Sequence, residues 1–78
     1  MNKFKKKIQG IDFEFELQYP LDPPLCFVKG DGVLLQMEID ENGLWKIRNN
    51  GDLPAYVLKL EYKLGKAIDQ ALNGNQTL

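Results

Sequence analysis

The sequence predicts an α+β fold: a small antiparallel β-meander of about five strands, followed by one C-terminal helix packed on one sheet face. Three observations carry that prediction. Apolar and polar residues alternate over 11–19 and again over 33–39, as half-buried strands require. Turn signals at Gln9-Gly10, Gly30-Asp31-Gly32 and Glu41-Asn42-Gly43 join successive strands and leave no room for a crossover between them. Beyond residue 53 a helical stripe of apolar residues begins and continues as far as Leu72. With 78 residues the chain has room for one domain, 1–78, and a composition of 44% hydrophobic and 27% charged residues is that of an ordinary globule.

The first element is a hairpin over 1–19. If Gln9-Gly10 is a two-residue turn, Ile8 faces Ile11, Lys7 faces Asp12, Lys5 faces Glu14, Phe4 faces Phe15 and Lys3 faces Glu16. A single register therefore pairs the charges and the apolar side chains together. Only Lys6, opposite Phe13, puts a charge on the apolar face. An inward-pointing lysine discourages edge-to-edge aggregation, so the first strand reads as a sheet edge. Residues 20–24 form a stiff Pro-rich connector, with Leu21 and Leu25 expected to cover an edge of the core.

A three-stranded meander over 25–48 comes next, with strands expected at 25–29, 33–39 and 44–48, in addition to 3–8 and 11–19 in the hairpin. A three-residue loop Glu41-Asn42-Gly43, with Gly43 left-handed in a bulge, sets Ile39 beside Trp45 and Met37 beside Ile47. Glu38 then faces Lys46 and Gln36 faces Arg48 on the other side. A four-residue loop would mix apolar with charged partners. Residues 56–64 alternate well enough for a strand, but a helix over 54–72 places Leu53, Val57, Leu60, Leu64, Ala67, Ile68 and Ala71 on one stripe. Pro54 suits the first turn, Asp52 the positive end of the helix dipole, and Gly74 a C-terminal stop. Gly65 inside the helix costs about 1 kcal/mol relative to alanine. Residues 73–78 read as a frayed tail.

Composition removes several chemistries. The formal charge is −1 and there is no histidine, which excludes Ser-His-Asp and Cys-His devices and the usual neutral-pH proton carrier. Asp12, Glu14 and Glu16 have lysines opposite them and read as an ion-pair ladder rather than an acid-base pair. One cysteine, Cys26, allows no internal disulfide and no thiolate-imidazole metal site. Asp40-Glu41-Asn42-Gly43 lacks the spacing of a calcium loop, and Lys29-Gly30-Asp31-Gly32 lacks that of a phosphate loop. No catalytic residue, metal or cofactor is expected, and the chain does not read as an enzyme. The basic start, Met1 to Lys7, leads into an acidic alternating segment rather than an apolar run, and no stretch is long enough to span a membrane. A cytoplasmic location is expected.

The remaining functional signal lies in apolar residues off the core faces. A two-residue turn between the third and fourth strands opposes Leu34 to Phe27, and a three-residue turn opposes it to Val28. Either way an apolar pair stays on the outer sheet face. On the helix, Leu58 and Tyr62 fall one turn apart, outside the core stripe. Leu34, Phe27, Val28, Leu58 and Tyr62 are therefore the candidate interface of a protein-interaction module or accessory subunit, with a homodimer as the expected assembly. An alternative uses the helix stripe Lys59, Lys63 and Lys66 against nucleic acid or another acidic surface. The near-neutral net charge and the placement of Phe13, Phe15, Tyr19 and Trp45 on core faces argue against nucleic acid. A small-ligand or enzyme-like domain with carboxylates between sheet and helix is a further alternative.

Overall fold

The structure, a computed structural model, describes residues 2–18, 23–48 and 53–73. Five strands, β1 (Asn2–Ile8), β2 (Ile11–Gln18), β3 (Leu25–Gly30), β4 (Val33–Ile39) and β5 (Trp45–Ile47), form one antiparallel sheet in sequence order. Two helical segments follow, α1 (Ala55–Lys59) and α2 (Glu61–Asn73). The fold is the expected α+β meander with a C-terminal helix packed on the sheet.

The hairpin register is the one that charge and apolar pairing require, with Phe4 opposite Phe15, Lys5 opposite Glu14 and Lys7 opposite Asp12. The Phe4 and Phe15 rings stack with centroids 4.6 Å apart. Gln9 and Gly10 both have left-handed backbones, φ 53° and 80°, which matches the twist of the strands they join. At the last hairpin Ile39 pairs with Trp45 and Met37 with Ile47, and Gly43 is left-handed at φ 81°. The Asp40 carboxylate accepts the Asn42 and Leu44 N–H groups at 2.8 and 3.0 Å, which closes that loop and holds its pKa below the usual carboxylate range.

The middle hairpin departs from both expected registers. Its turn is Asp31-Gly32, both left-handed at φ 51° and 74°, so Gly30 pairs with Val33, Lys29 with Leu34, Val28 with Leu35 and Phe27 with Gln36. The reason lies in packing. A Cβ on Gly30 would stand 2.5 Å from Phe13 Cδ1 and 2.9 Å from the Asp12 carbonyl oxygen. Gly30 is thus a strand residue kept bare for the Phe13 ring, and the turn moves one position along to residues that tolerate it.

The core contains Ile8, Phe13, Phe15, Leu17, Cys26, Val28, Leu35, Met37, Trp45 and Ile47 from one sheet face, with Val57, Leu60, Leu64, Ala67 and Ile68 from the helices. The expected helix 54–72 is interrupted at Leu60. Pro54 stands outside the first turn in an extended conformation, and its carbonyl accepts the Val57 and Leu58 N–H groups. The Leu60 N–H closes a tighter loop onto the Val57 carbonyl at 3.0 Å, and α2 restarts at Glu61. The interruption has a tertiary partner. Glu61, at the positive end of α2, accepts the Ile47 N–H at 2.8 Å and lies 3.8 Å from Lys46 Nζ, so it satisfies the open edge of β5.

From there α2 packs against both edge strands, β5 and β1. Gly65 lies on Trp45, whose indole N–H donates to Asp69 at 3.2 Å, and farther along Lys6 Nζ donates to Gln70 Oε1 at 3.2 Å. Asn73, expected in the tail, is the last residue of α2. Tyr19, Leu21, Asp52 and Gly74, which the sequence reading also used, lie outside the described residues.

Candidate functional site

The sheet face turned away from the helices is built by strand alternation. β1 contributes Lys3, Lys5 and Lys7, and β2 contributes Asp12, Glu14 and Glu16. β3 and β4 add Leu25, Phe27, Lys29, Leu34, Gln36 and Glu38. The carboxylates of β2 behave as an ion-pair ladder, with Lys5 3.6 Å from Glu14 and Lys7 3.9 Å from Asp12, all four largely exposed. Such pairs contribute little to stability.

Between these charges lies an apolar patch. Leu34 is 60% exposed, and Phe27, its diagonal neighbour across β3 and β4, is half-buried. Both border a shallow groove of about 300 Å³, whose rim includes Lys3, Lys5, Glu14 and Lys29. Val28 belongs elsewhere. It was expected opposite Leu34, but the one-residue difference in register turns it to the core, where it is fully buried against Leu35. Leu25, expected to cover a core edge, instead extends the row of Phe27 on the outer face.

The second apolar pair is divided by the helix interruption. Leu58 lies on α1 and Tyr62 on α2, both exposed. Tyr62 borders a groove of about 90 Å³ with Leu44 and Lys66, and Lys66 Nζ sits 5.9 Å from its ring centroid. Leu44, 51% exposed, was missed in the sequence. Its position just before β5, out of step with Trp45 and Ile47, was the signal available.

The lysine stripe is exposed at Lys59, Lys63 and Lys66, as a helical face opposite the core requires. Tertiary packing adds to it. Lys63, Lys66 and Gln70 form one wall of a groove of about 320 Å³ whose other wall is Lys6, Lys7 and Gln9 at the end of β1. No spacing in the sequence joins positions 6–7 to 63–66. The two half-signals were a lysine on the apolar face of β1 and a basic stripe on α2.

The buried thiol of Cys26 has its pKa pushed up to about 12 by removal from water, which keeps it in the weakly nucleophilic protonated form. The Tyr56 hydroxyl donates to the Asp31 carboxylate, and this bond ties α1 to the β3–β4 turn and raises the phenol's pKa. Among the described residues no three His, Cys, Asp or Glu side chains converge as metal ligands, and no helix is long and apolar enough to cross a membrane. No protein-family model matches this chain, and neither a curated protein nor a solved structure matches it.

Proposed function

We propose that this chain is a non-catalytic protein-interaction module that docks through the outer sheet face, with a second copy of itself as partner. The observation that carries this reading is Leu34, 60% exposed beside Phe27 on the sheet face opposite both helices. Burying that area is favourable, and the groove between the two side chains gives an incoming apolar group a seat. Charges of both signs rim it. Lys3, Lys5 and Lys29 lie close to Glu14 and Glu16, so a second copy of the same surface offers the complement of each. A stable interface takes about 800 Å² from each partner, roughly 15% of the 5414 Å² accessible here, which one sheet face supplies.

Equilibrium sedimentation of the unmodified chain and of Leu34→Lys tests the proposal. Leu34 is exposed, so the substitution leaves the fold in place. A two-fold interface loses the side chain twice, at about 1–1.5 kcal/mol per copy for its 60% exposed area, and the dimer weakens roughly 30- to 150-fold. A monomer at ~100 μM, or a dimer that Leu34→Lys leaves as tight as before, overturns the self-association.

A further inference from the structure

We propose that the groove between the end of β1 and α2 binds an oligophosphate group of a small molecule. Two elements more than fifty residues apart in sequence bring lysines to it, Lys6 from β1 and Lys63 and Lys66 from α2, while Lys7 lines its end and turns its ammonium to Asp12 on the outer sheet face. Its other lining residues are Ile8, Gln9, Ala67 and Gln70, so no carboxylate is among them. The ammonium groups of Lys6, Lys63 and Lys66 around about 320 Å³ repel one another, and an anion between them converts that repulsion into attraction.

The arrangement also orients donors. Lys6 Nζ donates to Gln70 Oε1 at 3.2 Å, which holds its ammonium in the gap between strand and helix and leaves its other two N–H groups for a ligand. Lys66 Nζ is 5.9 Å from the exposed Tyr62 ring, a contact that a phosphate oxygen displaces at little cost. Lysine ammonium groups hold phosphate as point charges without the fixed fork of arginine, which suits a chain of phosphates more than one planar carboxylate.

The groove favours a short polyanion over a nucleic-acid strand. No aromatic side chain lines it to stack a base. A carboxylate interrupts the basic track along the helix, Asp69 on α2 bonded to Trp45. The net charge of −1 adds no long-range attraction for a long polyanion.

Titration of the full chain with tripolyphosphate, followed by calorimetry and by amide chemical shifts, tests the assignment. At ~50 mM salt the expected result is saturable binding that moves amides near 6–9 and 63–70 and weakens as salt rises. Lys63→Gln and Lys66→Gln, both at exposed positions, each weaken it about 3- to 10-fold, and the double variant by about the product. Lys3→Gln, outside the groove, changes it less than about twofold. Absence of binding at millimolar tripolyphosphate overturns the proposal, as does binding that the double variant leaves unchanged. A single-stranded oligonucleotide that binds more tightly, with affinity rising with its length, also overturns it. The outer-face proposal stands or falls separately, because the two grooves share no lining residue.

Discussion

Replacing Gly65 by alanine sets helix propensity directly against packing. Propensity alone favours the variant by about 1 kcal/mol. In the structure, however, the new Cβ lies 3.0 Å from Trp45 Cβ, and the Trp45 carbonyl oxygen and Cγ follow at 3.7 and 3.8 Å. Carbon atoms pack at about 3.5–4.0 Å, so the contact is short by about 0.5 Å or more. Trp45 Cβ is anchored to the β5 backbone and cannot rotate away, so α2 itself has to move off the strand. The same movement stretches two bonds across that seam, Ile47 N–H to Glu61 at 2.8 Å and the Trp45 indole N–H to Asp69 at 3.2 Å.

Overpacking of this kind costs about 1–3 kcal/mol, and weakening the two bonds adds part of another 1 kcal/mol. Set against the propensity gain, the expected net loss is about 1–2 kcal/mol, a fall in Tm of roughly 4–15 °C for a domain of this size. Trp45 is the only tryptophan and is 4% exposed, so its fluorescence during urea unfolding reads the seam itself. Gly65→Val should lose more, because it adds bulk and gains less in propensity than alanine does. A Gly65→Ala variant about 1 kcal/mol more stable than the original would refute the reasoning, since propensity would then act unopposed.

Glu61→Ala should destabilise by about 1–2 kcal/mol, because the Ile47 N–H loses a charged acceptor at a sheet edge, whereas Glu61→Gln keeps an acceptor and should lose less than half of that. Equal losses in urea titrations would assign the effect to the Lys46 ion pair instead. Stability should also fall at both extremes of pH. Above the ordinary thiol value of 9.0 the unfolded chain releases the Cys26 proton while the folded chain keeps it to about 12, so stability declines across that window. On the acid side, Asp40 stabilises its loop at pH values above its unfolded pKa, and that contribution is lost as pH falls through the lowered folded value. Stability curves of Cys26→Ala and Asp40→Asn that keep both limbs unchanged would contradict these assignments. Thiol reagents at pH 8 should label Cys26 only as fast as the chain unfolds, and labelling within minutes in native buffer would mean that the site opens locally.

In two of the three hairpins joined by short turns, the sequence was enough to specify the pairing. Lys5 and Lys7 against Glu14 and Asp12, with Phe4 against Phe15, leave one register for β1 and β2, and Gly43 leaves one for β4 and β5. The stripe Val57, Leu60, Leu64, Ala67 and Ile68 likewise identified the buried side of the C-terminal helices. These are local signals, because each partner lies within a strand length or a few helical turns of the other.

The middle hairpin was illegible for a specific reason. A glycine serves equally in a turn and under an aromatic ring, and only Phe13, from another strand, reveals that Gly30 does the second. That one-residue difference moved Val28 into the core and gave Leu34 Lys29 as its partner.

Sequence alone therefore determined the order and type of the elements, the register of two of the three hairpins within β1–β5, and the absence of histidine chemistry. Tertiary structure alone decided the interruption at Leu60, the seating of Gly65 on Trp45 and the meeting of Lys6 with Lys63 and Lys66. The physical reason is range. Alternation, turn chemistry and helical stripes act between residues a few positions apart, whereas the landing of α2 across both sheet edges depends on how the whole sheet curves around its core, which no local pattern records.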